Sequence, residues 1–252
     1  MPLLILLFVL FGLFVGSFLN VCIDRLPLGQ SIISPPSHCP ACNRKLSVSD
    51  LVPVLSYLWL RGRCRSCQAK IPLRLPVVES VTALIFGFLF WQLGLGLELV
   101  VFLIYASLLI IIFVIDLEHQ LVMDKISYPA MVIAFVFSFF LPEPGVRNAL
   151  VGGAVGSVIM ALIYNIVLLA FKREGLGFGD VKMAALMGLM LGFPLIIEAL
   201  LLSWIGGGLV AVLLLLFKKK GRRDMIPTAT FMAISTLITL LWGQDIYRWY
   251  LP

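Results

Sequence analysis

The chain has 252 residues, 61% of them hydrophobic and only 13% charged, with a mean hydropathy of +1.08. A soluble domain carries about 25% charged residues, so this composition excludes an ordinary soluble globule and indicates an integral membrane protein whose solvent is lipid. The formal net charge of +6 does not indicate a nucleic-acid partner, because the basic residues fall in short clusters between apolar runs, as the positive-inside rule describes.

The runs predict an all-α polytopic membrane protein of about eight transmembrane helices, near residues 3–22, 77–95, 99–115, 126–141, 150–171, 181–193, 195–217 and 226–242. The fourth and sixth are short against the roughly 17–25 residues that a crossing needs. No Lys or Arg precedes Arg25 and no small-residue cleavage site precedes the charges, so the first run is expected to stay as a membrane helix rather than a signal peptide. No internal repeat is apparent. Gly12 and Gly16, Gly152 and Gly156, and Gly188 and Gly192 stand four apart, a spacing that lets helix backbones approach closely. Asn20 and Asn165 are expected to hydrogen-bond between helices. Tyr247, Trp249 and Tyr250, placed after the last run, suit an interfacial belt.

Alternating crossings put the loops after the first, third, fifth and seventh runs on one side. That side holds 17 of the 19 Lys and Arg residues, all but Arg147 and Arg248, so it is expected to be cytoplasmic with both termini outside.

Residues 23–76 form the sizeable polar segment. It contains Cys39-Pro40-Ala41-Cys42 and Cys64-Arg65-Ser66-Cys67, with 21 residues between the pairs. Two such pairs bring four thiolates to one tetrahedral zinc site, and a reducing cytoplasmic setting disfavours structural disulfides. A pair of redox-active dithiols is the competing reading. An insert of this size with little apolar content needs a metal or the membrane for support. His38 adjoins the first pair, but four cysteines already fill the shell; Cys22 reads as a buried thiol.

The third run closes with Asp116, followed by Leu117-Glu118-His119-Gln120-Leu121-Val122-Met123-Asp124. A carboxylate at the edge of an apolar span is a functional suspect, whereas Glu118, His119 and Asp124 suit a solvated loop. The sixth run opens at Gly175-Leu176-Gly177-Phe178-Gly179-Asp180. Taken alone, Asp180 reads as an N-cap, and the Gly-x-Gly spacing is no dinucleotide fingerprint because no strand precedes it. Topology puts Asp116 and Asp180 at the same membrane boundary. Two carboxylates sharing one proton there can run aspartic-protease chemistry. Helix dipoles alone would place the anion on Asp180, at a helix N-terminus, and the proton on Asp116, at a C-terminus.

Taken together, Gly177 to Asp180, Asp116 upstream, the cysteine pairs, Gly16-Ser17-Phe18-Leu19-Asn20-Val21 with Arg25-Leu26-Pro27, Pro53-Val54-Leu55-Ser56-Tyr57-Leu58 and Arg61-Gly62-Arg63-Cys64-Arg65 resemble the type IV prepilin peptidase family over most of the chain. The resemblance implies a bifunctional enzyme of the bacterial inner membrane. Such an enzyme cleaves the basic leader from type IV prepilins or pseudopilins on the cytoplasmic side and then N-methylates the new terminus with S-adenosylmethionine. It places the catalytic pair on Asp116 and Asp180 and the zinc on Cys39, Cys42, Cys64 and Cys67, and it divides the chain into a first helix (1–22), a zinc-binding insert (23–76) and a peptidase core (77–252). No residue is indicated for the methyl donor, beyond the insert and its flank around Glu79.

The chain departs from the family pattern in three places. Met123-Asp124 replaces Pro-Asp. Asn43 and Gln68 stand where glycine commonly follows each cysteine pair, so the second turn is expected to be looser. Ile226-Pro227-Thr228-Ala229-Thr230 stands where Ile-Pro-Phe-Gly-Pro is common.

Other classes share some features. A proton-coupled transporter uses intramembrane carboxylates, but with inverted repeats and helices broken at mid-membrane. A membrane thiol oxidoreductase would hold its cysteine pairs on the oxidising side. A noncatalytic zinc adaptor of a secretion machine would not need the aspartates.

Overall fold

Backbone polar groups in a long apolar run have no water to bond, so each run satisfies its own as an α-helix. The computed structural model describes residues 1–171, 177–217 and 227–250. Among these are nine α-helices and no strand: α1 (Pro2–Arg25), α2 (Leu55–Trp59), α3 (Arg74–Leu93), α4 (Leu97–His119), α5 (Asp124–Phe137), α6 (Gly145–Phe171), α7 (Phe178–Leu191), α8 (Leu195–Leu216) and α9 (Thr228–Tyr250). Lys172, Arg173, Gly175, Leu176, the basic run 218–223 and Ile226 lie outside the described residues.

Among the described residues, α1, α3, α4, α6, α8 and α9 are long and apolar enough to cross a membrane. The two runs that read as short become α5 and α7, with 14 residues each, which rise about 21 Å against a hydrocarbon core of about 30 Å. The last helix begins at Thr228 and reaches Tyr250. Tyr247, Trp249 and Tyr250 therefore belong to its final turns and do not follow the span, because no strong breaker stops the helix after residue 242.

The chain divides into two compact units, Met1–Ile111 and Ile112–Pro252, with the boundary inside α4. In the first, α1 lies against α3. A Cβ on Gly12 would fall 2.7 Å from the Ala83 Cα, and one on Gly16 would fall 2.7 Å from the Glu79 Cα, so the helices touch backbone to backbone. Phe8 stacks on Phe90 at 4.5 Å, and Asn20 Nδ2 donates across to Leu75 O at 3.0 Å. Asn165 does not cross to a neighbour; its Nδ2 donates to Ala161 O of its own helix at 2.7 Å, because an exposed amide in a helix meets the i−4 carbonyl first.

In the second unit α7 packs against α5, α6, α8 and α9. Val181, Met183, Ala184, Leu186, Met187, Gly188, Met190 and Leu191 are all buried. This explains how so short a helix is accommodated: protein, not lipid, surrounds it. A Cβ on Gly152 would lie 2.7 Å from the Gly192 carbonyl carbon, and one on Gly188 would strike the Gly152 carbonyl group. Glycine is required at these points because the obstacle is backbone and cannot swing away.

Gly188→Ala is therefore expected to force α6 and α7 apart and lower stability by about 1–3 kcal/mol. Gly207→Ala, where only the Phe231 ring comes near at 3.4 Å, should leave the unfolding midpoint unchanged or raised. Thermal unfolding of both variants in detergent checks the contrast.

Candidate active site and metal centre

The polar insert folds as two copies of one short turn. In the first, Cys39 N–H donates to Arg44 O (2.9 Å), Asn43 N–H to Cys39 O (2.8 Å) and Leu46 N–H to Ser37 O (2.9 Å). In the second, Cys64 N–H donates to Ala69 O (2.8 Å), Gln68 N–H to Cys64 O (3.1 Å) and Ile71 N–H to Gly62 O (2.8 Å). Asn43 and Gln68 take φ values of +55° and +57°. The second turn is thus no looser than the first; Gln68 accepts the left-handed conformation that the doubled hydrogen-bond frame imposes. A small internal repeat exists here after all, marked in the letters only by the two Cys-x-x-Cys pairs.

The four Sγ atoms lie within 4.8 Å of one another, and Cys39 Sγ and Cys67 Sγ are 3.8 Å apart. A tetrahedral ion with metal–sulfur bonds near 2.3 Å has sulfur–sulfur edges of about 3.8 Å. The donor set and its spacing therefore fit a zinc-type ion. The thiols are poised unequally. Backbone N–H groups of Cys67 and Ser66 hold Cys64 down to about 6. For Cys67, the Ala69 N–H pulls downward but burial and the neighbouring thiols outweigh it and push the group up to about 11. Four thiolates this close repel unless a cation offsets them. His38 Nδ1 lies 3.2 Å from Pro36 O and is not part of the cluster. Arg44 bonds Ser66 across the two turns, while Arg65 Nε pairs with Asp50 Oδ1 at 2.9 Å. Val54 N–H donates to Glu79 Oε2 at 2.7 Å, which fastens the insert to α3.

The carboxylates belong to the second unit. Asp116 lies in the last turn of α4, whose end is set by Gln120 at φ +53° donating its N–H to Asp116 O at 2.8 Å. Asp180 lies in the first turn of α7, after the cap residue Gly177, and its own N–H donates to Gly177 O at 3.0 Å. The N-cap position belongs to Gly177 and Asp180 stands three residues inside the helix, so Asp180 is not the N-cap, although the Gly177 N–H acts on its carboxyl. A Cβ on Gly179 would fall 2.8 Å from Val122 Cβ; glycine there admits the loop that follows α4. Gly177 has φ −80°, and a Cβ there would meet nothing closer than Gly179 N at 3.8 Å, so neither reason applies to it.

Both aspartates are about 5% exposed or less, and their charges lie near enough to act on each other. The first turn of α9 meets both. Thr228 Oγ1 donates to Asp180 Oδ1 at 2.6 Å, while Thr230 N–H and Oγ1 donate to Asp116 Oδ2 at 2.7 and 2.9 Å. Sequence reasoning passed over Thr228 and Thr230. The signal available was two hydroxyls just after Pro227 at the head of an apolar run, a helix-start pattern. Asp124 does not belong to a free loop. It opens α5 and pairs with Lys182, whose Nζ lies 5.5 Å from the centre of the Tyr128 ring and 5.3 Å from that of Phe178.

Residues 10–93 match the family model described as the bacterial peptidase A24 N-terminal domain, and residues 103–212 match the type IV leader peptidase family. The prepilin leader peptidase/N-methyltransferase of Aeromonas hydrophila is 34% identical over 266 residues, which cover 96% of this chain and 92% of that protein. Proteins of the same name are 40% identical in Myxococcus xanthus (83% of this chain, 62% of that protein) and 32% identical in Bacillus subtilis (96% of each). No solved structure matches the chain. The chain belongs to the type IV leader peptidase family.

Cys64→Ser should cut the zinc content of the purified protein from about one ion per chain and open the segment between α1 and α3 to proteolysis. Elemental analysis and limited digestion read both effects. Full zinc retention in that variant would refute a four-cysteine site.

Proposed function

We propose that this protein cleaves the basic leader from type IV prepilins or pseudopilins and then methylates the amino terminus so released, with Asp116 and Asp180 as the catalytic pair. The observation that carries the reading is the burial of two interacting carboxylates in one helical unit, on elements that the family model covers. One carboxylate takes a proton from water as it attacks the scissile carbonyl. The other, protonated, donates to the carbonyl oxygen and stabilises the charge that develops there. Collapse of the tetrahedral adduct breaks the C–N bond, and the amine leaves with a proton. A site closed to bulk water strengthens each of these interactions.

The relatives' name joins peptidase and N-methyltransferase, which supports S-adenosylmethionine as methyl donor. That group would supply an electrophilic methyl for the new amine. Among the described residues there is no strand, hence no glycine-rich strand-to-helix turn to cradle a nucleotide, and we assign the donor no residues. Zinc on Cys39, Cys42, Cys64 and Cys67 would be structural, since four protein ligands leave no open position for substrate.

The functional division follows the sequence, with a first helix (1–22), a zinc-binding insert (23–76) and a peptidase core (77–252). The location is the bacterial inner membrane with the pair on the cytoplasmic side. The bias of 17 basic residues to one face, from Arg25 to Lys182 and on to the run 218–223, supports that orientation. The substrate's apolar segment would lie among the helices, with its leader junction at the boundary.

Mass spectrometry of a type IV prepilin incubated with the purified protein and S-adenosylmethionine tests the reading. The wild type should remove the leader and add one methyl group. Asp116→Asn and Asp180→Asn should each lower cleavage by at least about a thousandfold while thermal unfolding stays close to wild type. Cleavage retained by either variant would sink the aspartate-pair assignment.

A further inference from the structure

We infer that Thr230 makes Asp116 the anionic member of the pair, the base that receives the proton of the attacking water, and that the shared proton rests on Asp180, which Thr228 holds in position. This rests on the aspartate-pair reading above and reverses the assignment that helix dipoles alone suggest.

The asymmetry lies in what kind of donor meets each carboxylate. Asp116 Oδ2 receives two hydrogen bonds from one residue, the Thr230 N–H at 2.7 Å and the Thr230 hydroxyl at 2.9 Å. Asp180 Oδ1 receives the Thr228 hydroxyl at 2.6 Å, with the Gly177 N–H as a weaker backbone donor to that carboxyl, while the Ala229 N–H adds likewise to Asp116. Both Thr230 donors bond most strongly when Oδ2 belongs to an anion: a proton on Oδ1 would leave them the weaker carbonyl oxygen of a neutral acid, and one on Oδ2 would break the N–H bond, since a backbone N–H cannot accept. A hydroxyl can turn and accept, so a protonated Asp180 keeps its partner. The Thr230 N–H also belongs to the first turn of α9, where backbone amides have no partner in their own helix and the dipole favours an anion.

Magnitudes decide between this and the dipoles of the helices that carry the aspartates. A helix end shifts a charge equilibrium about two- to fivefold at the surface and up to roughly thirtyfold for a partly buried group. A hydrogen bond to a charged group shifts it roughly tenfold or more, and Asp116 has two. The donors prevail.

Among the described residues, the other charged groups on surrounding elements leave the asymmetry intact; Lys172, Arg173, Glu174, Lys218, Lys219, Lys220, Arg222, Arg223 and Asp224 lie outside those residues. Asp124 and Lys182 are paired with each other. Glu118 and His119, at the end of α4, and Lys125, at the start of α5, are exposed. Arg147 begins α6, Glu198 lies in the first turn of α8, and Asp245 and Arg248 lie in the last turns of α9. Arg147 and Glu198 adjoin the far end of α7, and the α9 residues are about 22–27 Å along that helix from Thr230. The device depends on Thr230. Where the family pattern places proline at that point, neither an N–H nor a hydroxyl is on offer.

The test is the pH dependence of kcat/KM for leader cleavage, which reports the free enzyme's base on its acid limb and its acid on its alkaline limb. Thr230→Val removes one donor to the Asp116 anion, so the acid limb should move up by about one pH unit with the alkaline limb unmoved, and Thr230→Ser should restore it. Thr228→Val should raise the alkaline limb and leave the acid limb in place. The reverse pattern, Thr230 governing the alkaline limb and Thr228 the acid limb, would overturn the assignment. Slower cleavage with both limbs unmoved would reduce the threonines to structural roles and also overturn it. Asp116→Asn and Asp180→Asn, assayed alongside, keep the two levels apart: cleavage in either means that the pair itself is not catalytic.

Discussion

The second unit depends on one constraint, that two mutually repelling carboxylates are buried away from water. Each is costly to bury alone, and their mutual repulsion adds to the cost. The first turn of α9 offsets both by aiming two hydroxyls and a backbone N–H at them. Those donors sit at the one place in a helix where amides lack internal partners. The site is therefore made by a helix beginning, and the position of α9 follows from it.

Holding that arrangement requires a rigid base for Asp180, which α7 provides. Its length is set by enclosure and not by membrane thickness, and it approaches α6 so closely that a single methyl would meet backbone. Contact at that range gives many dispersion interactions per residue and fixes the first turn of α7 in place. Gly179 serves the same end by admitting Val122, and the Asp124–Lys182 pair ties the start of α5 to α7.

The first unit solves a different problem. A polar segment of about fifty residues buries too little apolar surface to fold unaided. It substitutes a repeated turn, closed by matching backbone bonds, that brings four sulfurs to the spacing of one tetrahedral ion. Metal binding can then stand in for a core. Glu79 and Asn20 anchor this region by bonding backbone groups at Val54 and Leu75.

The sequence by itself determined the membrane class, the helices, the cysteine cluster and the placement of two acidic residues at helix ends, because each is carried by local composition or short spacing. It also placed the close glycine contacts. What only the tertiary structure decided was contact at long range: Thr230 meets Asp116 across 114 residues and Thr228 meets Asp180 across 48. No periodicity encodes such a pairing, since a threonine at the head of a helix looks the same whether it faces water or a buried acid. The same holds for Asn165, which turned to its own helix, and for Gln68, whose backbone conformation was imposed by the turn around it. Propensity and pattern describe a residue's neighbours along the chain, and the chemistry of the pair comes from neighbours in space.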